Sequence, residues 1–376
     1  MKLLKFDPRP DWQQRMLDVG FVYHSFDGAY WMDNIGVELS QAEWDGIGRA
    51  SLEIHAMGID MVAEAVKSGD FSAWRLSDLA SELVSESWLR GDPSLYGRFD
   101  FTFSPEGVAK AYEYNADTPT SIMEASLAQS DWAQARGVKS SCALEEHMPK
   151  AFAKFAAMGA QKMAIAGLST SVEDTANLFP MVEWARMAGI DASWRPIEQM
   201  QFIYGAKQHG FDGEGFEWIF KLYPWEFFVA DNAKHLSQTT TRFMEPAWKM
   251  LLSTKAFMAE AWRRHPRHPN LLPTYFEGQE GPGLENGYAR KPILSREGAN
   301  VEIFKNNAFI QKEVGPYGRE GFVKQAYCAM PEPEPAMRFT LGGWIAGDSF
   351  AGTCARYTDD HVVTNVSWTC GCCIGS

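Results

Sequence analysis

At 376 residues, with 45% hydrophobic and 22% charged residues, the chain has the composition of a globular protein of one large domain or two to three smaller ones. Its formal charge of −13 argues against a general nucleic-acid binder, which needs basic surface to displace counterions, and is compatible with a cationic substrate or partner. No apolar run approaches the length of a membrane-spanning helix, and MKLLKFDPRPDW lacks the features of a signal peptide, so a cytoplasmic protein is the expectation.

Residues 1–39 read as aromatic and irregular, with Trp12, Phe21, Tyr23, Phe26, Tyr30 and Trp31 punctuated by Gly20 and Gly28. Ser40 and Glu43 form a capping box that opens a long helix over 41–67, and a second helix follows over 76–90. The stretch 98–115, RFDFTFSPEGVAKAYEYN, predicts a β-hairpin around a Ser-Pro-Glu-Gly turn. Phe99, Phe101 and Phe103 alternate with Arg98, Asp100 and Thr102, and Tyr112 and Tyr114 alternate with Ala111, Glu113 and Asn115. Such alternation gives one aromatic face and one polar face carrying Arg98, Asp100, Glu113 and Asn115. An ordinary amphipathic sheet has the same pattern, but this oxygen-donor set beside a guanidinium also suits a hard cation and a polyphosphate.

Ser121 and Glu124 read as a second capping box, leaving N–H groups near 118–122 free for an anion. A helix over 144–158 precedes a buried strand at 163–167, a helix over 174–188 and an extended segment at 192–196. This is the strongest α/β signal in the chain. The loop after the first strand carries Glu173 and Asp174, which suit a cationic amine or, equally, a helix N-terminus. EWIFKLYPWEFF at 217–228, with Lys221 and Glu226, reads as packing. A helix centred on 253–263 ends in His265-Pro-Arg-His-Pro, a basic turn rather than a metal site. After a Gly-rich linker at 278–287, strands are predicted at 288–294, 301–305, 321–328, 338–346 and 350–357, with the loop SREGAN at 295–300 between the first two. Of six Cys, three crowd into CGCCIGS, which lacks a second zinc-type pair; this tail is expected to be flexible.

Five motifs in order, YGRFDFTF at 96–103, YEYNADTPTSIMEA at 112–125, EPAWKMLLSTKA at 245–256, RKPILSREGANV at 290–301 and AGTCAR at 351–356, give a resemblance over residues 10–366. The sequence resembles the synthetase domain of glutathionylspermidine synthase and its stand-alone relatives, in the ATP-grasp superfamily. The resemblance implies a mixed α+β and α/β, ATP-grasp-like fold preceded by a pre-ATP-grasp unit. The expected segments are a helical one at 1–95, a metal- and substrate-binding one at 96–244, an ATP-binding one at 245–366 and the Cys-rich tail at 367–376.

It further implies an ATP-dependent carboxylate–amine ligase working through an acyl phosphate, with ATP and Mg2+ as cofactors. Asp100, Glu113 and Asn115 match magnesium ligands, Arg98 matches an arginine that meets the transferring phosphoryl group, and the SREGAN loop matches a mobile loop that covers the phosphates, with Arg296 as its catalytic contact. Lys255, Lys291, Ser295, Gly298, Ala299 and Gln325 match nucleotide contacts. Ser121, Glu173, Asp174 and Arg356 match substrate-binding positions, with the acidic pair on a polyamine. The expected partners are a small or short-peptide carboxylate and a cationic amine. No amidase domain is expected, so hydrolysis of the product is not either. A non-catalytic protein that binds nucleotide or polyamine is the alternative.

Overall fold

The computed structural model describes residues 1–25, 28–306 and 308–375; Phe26 and Ser376, both named above, lie outside them. Its largest layer is an eight-stranded sheet. In spatial order the strands are Lys2–Lys5, Trp31–Leu39, Trp368–Ile374, Ser349–Thr358, Arg338–Ala346, Tyr96–Phe103 and Ala109–Asn115, with the short Lys139–Ser140 beside Trp368–Ile374. Helix Gln41–Ser68 packs on this sheet, and its start is the predicted capping box of Ser40 and Glu43. Its last turn closes on Gly69 in the left-handed conformation.

Two further sheets flank this layer. One has four parallel strands in the order Arg242–Met244, Trp218–Lys221, Lys162–Gly167 and Asp191–Pro196, built on the predicted strand–helix–strand unit. The other has five antiparallel strands: Thr274–Phe276, Phe322–Ala326, Gly287–Pro292, Glu302–Lys305 and Ala308–Lys312. A small three-stranded sheet completes the set. Among the described residues no helix is long and apolar enough to cross a membrane.

Two expectations need correction. Residues 1–39 are not irregular: Lys2–Lys5 and Trp31–Leu39 pair antiparallel at one side of the large sheet. Nor is the Cys-rich end flexible. Strand Trp368–Ile374 runs parallel to Trp31–Leu39 and antiparallel to Ser349–Thr358, well inside the sheet. Its Cys residues act as small apolar fillers, and all three are buried. Burial pushes the thiols of Cys372 and Cys373 up to about 12 and about 11, the opposite of what a metal-binding thiolate needs. Gly371 lets the indole of Trp132 lie flat against the strand, since a Cβ there would sit 2.2 Å from Trp132 Cδ2.

Gly371→Ala is therefore expected to cost about 1–3 kcal/mol by overpacking. The denaturant midpoint of the purified variant measures this, and an unchanged midpoint would contradict the contact.

Candidate active site

The hairpin Tyr96–Phe103 and Ala109–Asn115 pairs Asp100 with Glu113 and Arg98 with Asn115. On the buried side Phe99 stacks on Tyr114 with centroids 3.8 Å apart and planes within 4°. A β-bulge between Asp100 and Phe101 then shifts the register, so that Phe101 lies opposite Ala111. This overturns part of the alternation read from sequence. Ala109 and Ala111 join the core, whereas Tyr112 turns to the polar face, lines the cleft and donates its hydroxyl to Cys328 O at 2.5 Å.

The polar face is tightly wired. Arg98 Nε donates to Asp100 Oδ1 at 2.8 Å and its Nη1 to Thr120 O at 2.7 Å. Arg98 is only 6% exposed, with its guanidinium over the Trp344 ring. Burial works against its charge, but Asp100 more than offsets this and holds the group more firmly protonated. Gly342, paired with Asp100, makes room for the arginine stem: a Cβ there would lie 2.6 Å from Cys354 Sγ and 3.0 Å from Arg98 Cδ. Asn115 Nδ2 donates to Asp100 Oδ2 at 3.1 Å and reaches Glu113 Oε1 at 3.5 Å, so one amide gathers both carboxylates.

Two lysines face this group. Lys255, at the break between helices Met250–Ser253 and Ala256–Arg264, sits 3.1 Å from Glu113 Oε2 and donates to Ser295 O at 2.7 Å. Lys291, on strand Gly287–Pro292, donates to Gln325 Oε1 at 2.8 Å. Burial alone would raise Glu113, but the charges of Lys255 and Lys291 pull it down to about 2. Burial brings Lys291 down to about 8 despite Glu113.

These groups line a cleft of about 300 Å³ between the hairpin and the five-stranded sheet. Its apolar lining includes Ala289, Ile303, Ala326, Tyr327, Met330 and Val362. Of the residues singled out in the sequence, the cleft brings together Arg98, Asp100, Glu113, Asn115, Asp174, Lys255, Lys291, Ser295, Arg296, Gly298, Gln325 and Arg356. The loop 295–300 covers one flank; Gly298, at φ +75°, packs against Val362 and Val363. Ala299, Ser121 and Glu173 do not line the cleft. Ala299 packs beside Gly315. Glu173 stands half-buried next to Asp174, behind the wall that Thr120 and Arg356 form.

Ser121 is buried at the start of the following helix with φ +71°, and it does not form the predicted capping box. Asn177 Oδ1 takes that role, accepting from the N–H of Ile122 at 2.7 Å and of Met123 at 3.4 Å, so these donors are not free for an anion. Glu124 instead accepts hydrogen bonds from the hydroxyls of Tyr30 at 2.7 Å and Tyr23 at 3.0 Å, in a fully buried setting. EWIFKLYPWEFF is more than packing. Lys221 Nζ, fully buried, donates to Asp117 Oδ1 at 2.9 Å, and Glu226 pairs with Arg296 at 2.9 Å. Only the isolated charges inside an apolar run hinted at these partners.

Asp100 and Glu113 present two carboxylates, hard oxygen donors of the kind magnesium takes, on one face of the hairpin, and Asn115, whose amide nitrogen faces them here, would present its oxygen with the amide turned over. Among the described residues no cluster of three or more His, Cys, Asp or Glu is placed to hold a metal ion. His268 of the basic turn pairs with Glu53 at 3.2 Å.

A family model described as glutathionylspermidine synthase preATP-grasp matches residues 3–375. A protein of Haemophilus influenzae named as an acid–amine ligase is 37% identical over 381 residues, 96% of each chain. The trypanothione synthetase of Crithidia fasciculata is 24% identical over 84% of this chain and 52% of its own. The bifunctional glutathionylspermidine synthetase/amidase of Escherichia coli is 24% identical over 85% of this chain and 56% of its own. The chain thus spans about half the length of these last two relatives. In fold it is similar to a protein of Methylobacillus flagellatus described as a gamma-glutamylcysteine synthetase, with a TM-score of 0.50 at 12% identity over 79% of this chain and 86% of that one. The extent of the family match, with the cleft and its motifs in place, means that the chain belongs to the glutathionylspermidine synthase family.

Proposed function

We propose that this protein is an ATP-dependent carboxylate–amine ligase whose reaction centre is the polar face of the hairpin 98–115. The observation that carries this is the convergence of Arg98, Lys255 and Lys291 on Asp100, Glu113 and Asn115 in one cleft. The apolar lining suits the adenine of ATP, and the bonded pair Gln325 and Lys291 lines the same cleft. Asp100, Glu113 and Asn115 would hold Mg2+, which would supply positive charge to neutralise the phosphate oxygens. Lys255 and Lys291 receive the phosphate charge, and Arg98 meets the γ-phosphoryl group as its oxygens develop negative charge.

The substrate carboxylate attacks the γ-phosphorus, forming an acyl phosphate and releasing ADP. The neutral amine then attacks the acyl carbon, phosphate leaves, and the amine nitrogen loses its proton as the amide forms. Thr118, Thr120 and Arg356 bound the carboxylate side of the cleft. The amine side has Asp174 in the wall with Glu173 and Glu124 behind it, an acidic surrounding that favours a cationic amine.

Asp100→Asn and Glu113→Gln preserve shape and remove charge. Each is expected to lower the rate of ADP formation on the order of 10²–10³-fold, with the circular dichroism spectrum unchanged. The assay screens peptide and amino-acid carboxylates against polyamines, with mass spectrometry of the amide product. Undiminished ADP formation in both variants would remove the hairpin from the chemistry.

Glu173 gives a pH signature. Burial first, then the neighbouring charges of Glu124 and Asp174, raise it from 4.5 to about 7, while Arg356 and a Thr120 hydrogen bond act the other way. It is ionised above about pH 7 and takes up a proton below. The KM for a cationic amine is therefore expected to rise as pH falls from 8 to 6, and Glu173→Gln should flatten that profile. Because the folded value is raised, the ionised group weighs against folding increasingly from about pH 4.5 to 7 and fully above. Glu173→Gln should thus raise the melting temperature more at pH 8 than at pH 5. An equal shift at both pH values would contradict the assignment.

A further inference from the structure

Four charged side chains from four separate segments meet beside the cleft. Lys221 ends the strand Trp218–Lys221, Asp117 follows the hairpin, Arg296 belongs to the loop 295–300, and Glu226 opens the helix Trp225–Leu236. Arg296 Nε and Nη2 both donate to Glu226 Oε1, at 3.0 and 2.9 Å, and Nη2 reaches Oε2 at 3.1 Å. Arg296 Nη1 donates to Thr118 Oγ1 at 2.8 Å, and Asp117 Oδ2 lies 4.0 Å from Nη2. Asp117 is itself anchored by Lys221 Nζ at 2.9 Å and by the N–H of Trp225 at 2.8 Å, and the Lys221 ammonium sits 4.4 Å from the centre of the Trp225 ring. The charges alternate and sum to zero.

This wiring differs from that of a phosphate-binding arginine. Its fork is spent on Glu226 and Thr118, so in this arrangement Arg296 is a strut that ties the loop to a helix. Of its other two ties, Thr118 is half-buried and Asp117 is a fixed point, 1% exposed and anchored by the fully buried Lys221. Glu226, which takes three of the four hydrogen bonds of the fork, is on the first turn of its helix and 21% exposed.

We propose that Glu226 is a positioning residue: it holds Arg296, and through it the loop 295–300, closed over the cleft. This rests on the ligase reading above and extends it to how the intermediate is protected. An acyl phosphate exposed to water is lost by hydrolysis, giving ADP and phosphate without amide. A loop that stays shut until the amine has reacted keeps ADP and amide in equal amounts. Glu226 makes no contact with the reacting groups, so its removal acts on this coupling.

The test compares Glu226→Gln and Glu226→Asp with the wild-type chain. Wild type is expected to give one ADP per amide at saturating carboxylate and amine. Glu226→Gln is expected to raise that ratio several-fold with the KM for ATP within about twofold of wild type, and Glu226→Asp, which keeps the charge, to restore part of the coupling. Hydrogen exchange of the backbone amides at 295–300 in the ligand-free protein is expected to quicken about tenfold in Glu226→Gln, with the hairpin 98–115 unchanged. This second readout needs no turnover, so failure of the ligase reading and failure of the strut are told apart. An ADP-to-amide ratio of one together with unaltered exchange in Glu226→Gln overturns the proposal. So does an equal loss of stability and of hairpin protection in both variants.

Discussion

A guanidinium that is 6% exposed must keep its charge compensated, and the cleft is arranged around how Arg98 does so. Its fork meets Asp100 on the same strand and the carbonyl of Thr120. Asp100 is then shared with the Asn115 amide, which also reaches Glu113, and Glu113 is answered by Lys255. Each group restrains the next, so the oxygen donors and the cations are held before any ligand arrives. Such preorganisation is what phosphoryl transfer requires, because the protein's contribution there is position and charge rather than covalent chemistry.

The rigidity comes from the other side of the hairpin. Phe99, Phe101 and Tyr114 are buried, and Tyr114 also hydrogen-bonds His55 of the long helix at 3.0 Å. The polar face therefore rides on an aromatic layer with no freedom to twist. The bulge at Asp100 adds Tyr112 to the cleft side, where its hydroxyl and carbonyl tie the hairpin to residues of the five-stranded sheet region. The two walls of the cleft are thereby stitched at one corner, while the loop 295–300 is fastened separately, through Arg296 to Glu226.

Local patterns were legible in sequence wherever neighbouring residues decide the outcome. The Ser40–Glu43 box, the 162–196 unit and the Asp100–Glu113 pairing all follow from spacing and alternation. What alternation could not show is the single extra residue of the bulge, which exchanges the faces of Ala111 and Tyr112. Ser121 and Glu124 have capping-box spacing, but a remote Asn177 supplies the cap and two tyrosines from the first thirty residues claim the glutamate. Lys221 and Glu226 looked like stray charges because their partners, Asp117 and Arg296, are 104 and 70 residues away in the chain. The Cys-rich end carries no period-two signal, since both of its faces are covered, and its place in the sheet depends on pairing with residues 31–39.

The interleaving of the large sheet sets a condition on the site. The strand Tyr96–Phe103 takes its other neighbour from Arg338–Ala346, and that strand leads through Ser349–Thr358 to Trp368–Ile374, which is pinned against Trp31–Leu39. Every side chain of the oxygen-donor set thus lies before residue 116, yet the strands that fix its hairpin in the sheet come after residue 337. A product broken off before residue 338 would contain Asp100, Glu113, Asn115, Lys255 and Lys291 in full and have no sheet to hold the hairpin flat. The geometry of the cleft is in this way tied to residues far along the chain: a fragment with all five side chains would lack the strands on which they are assembled.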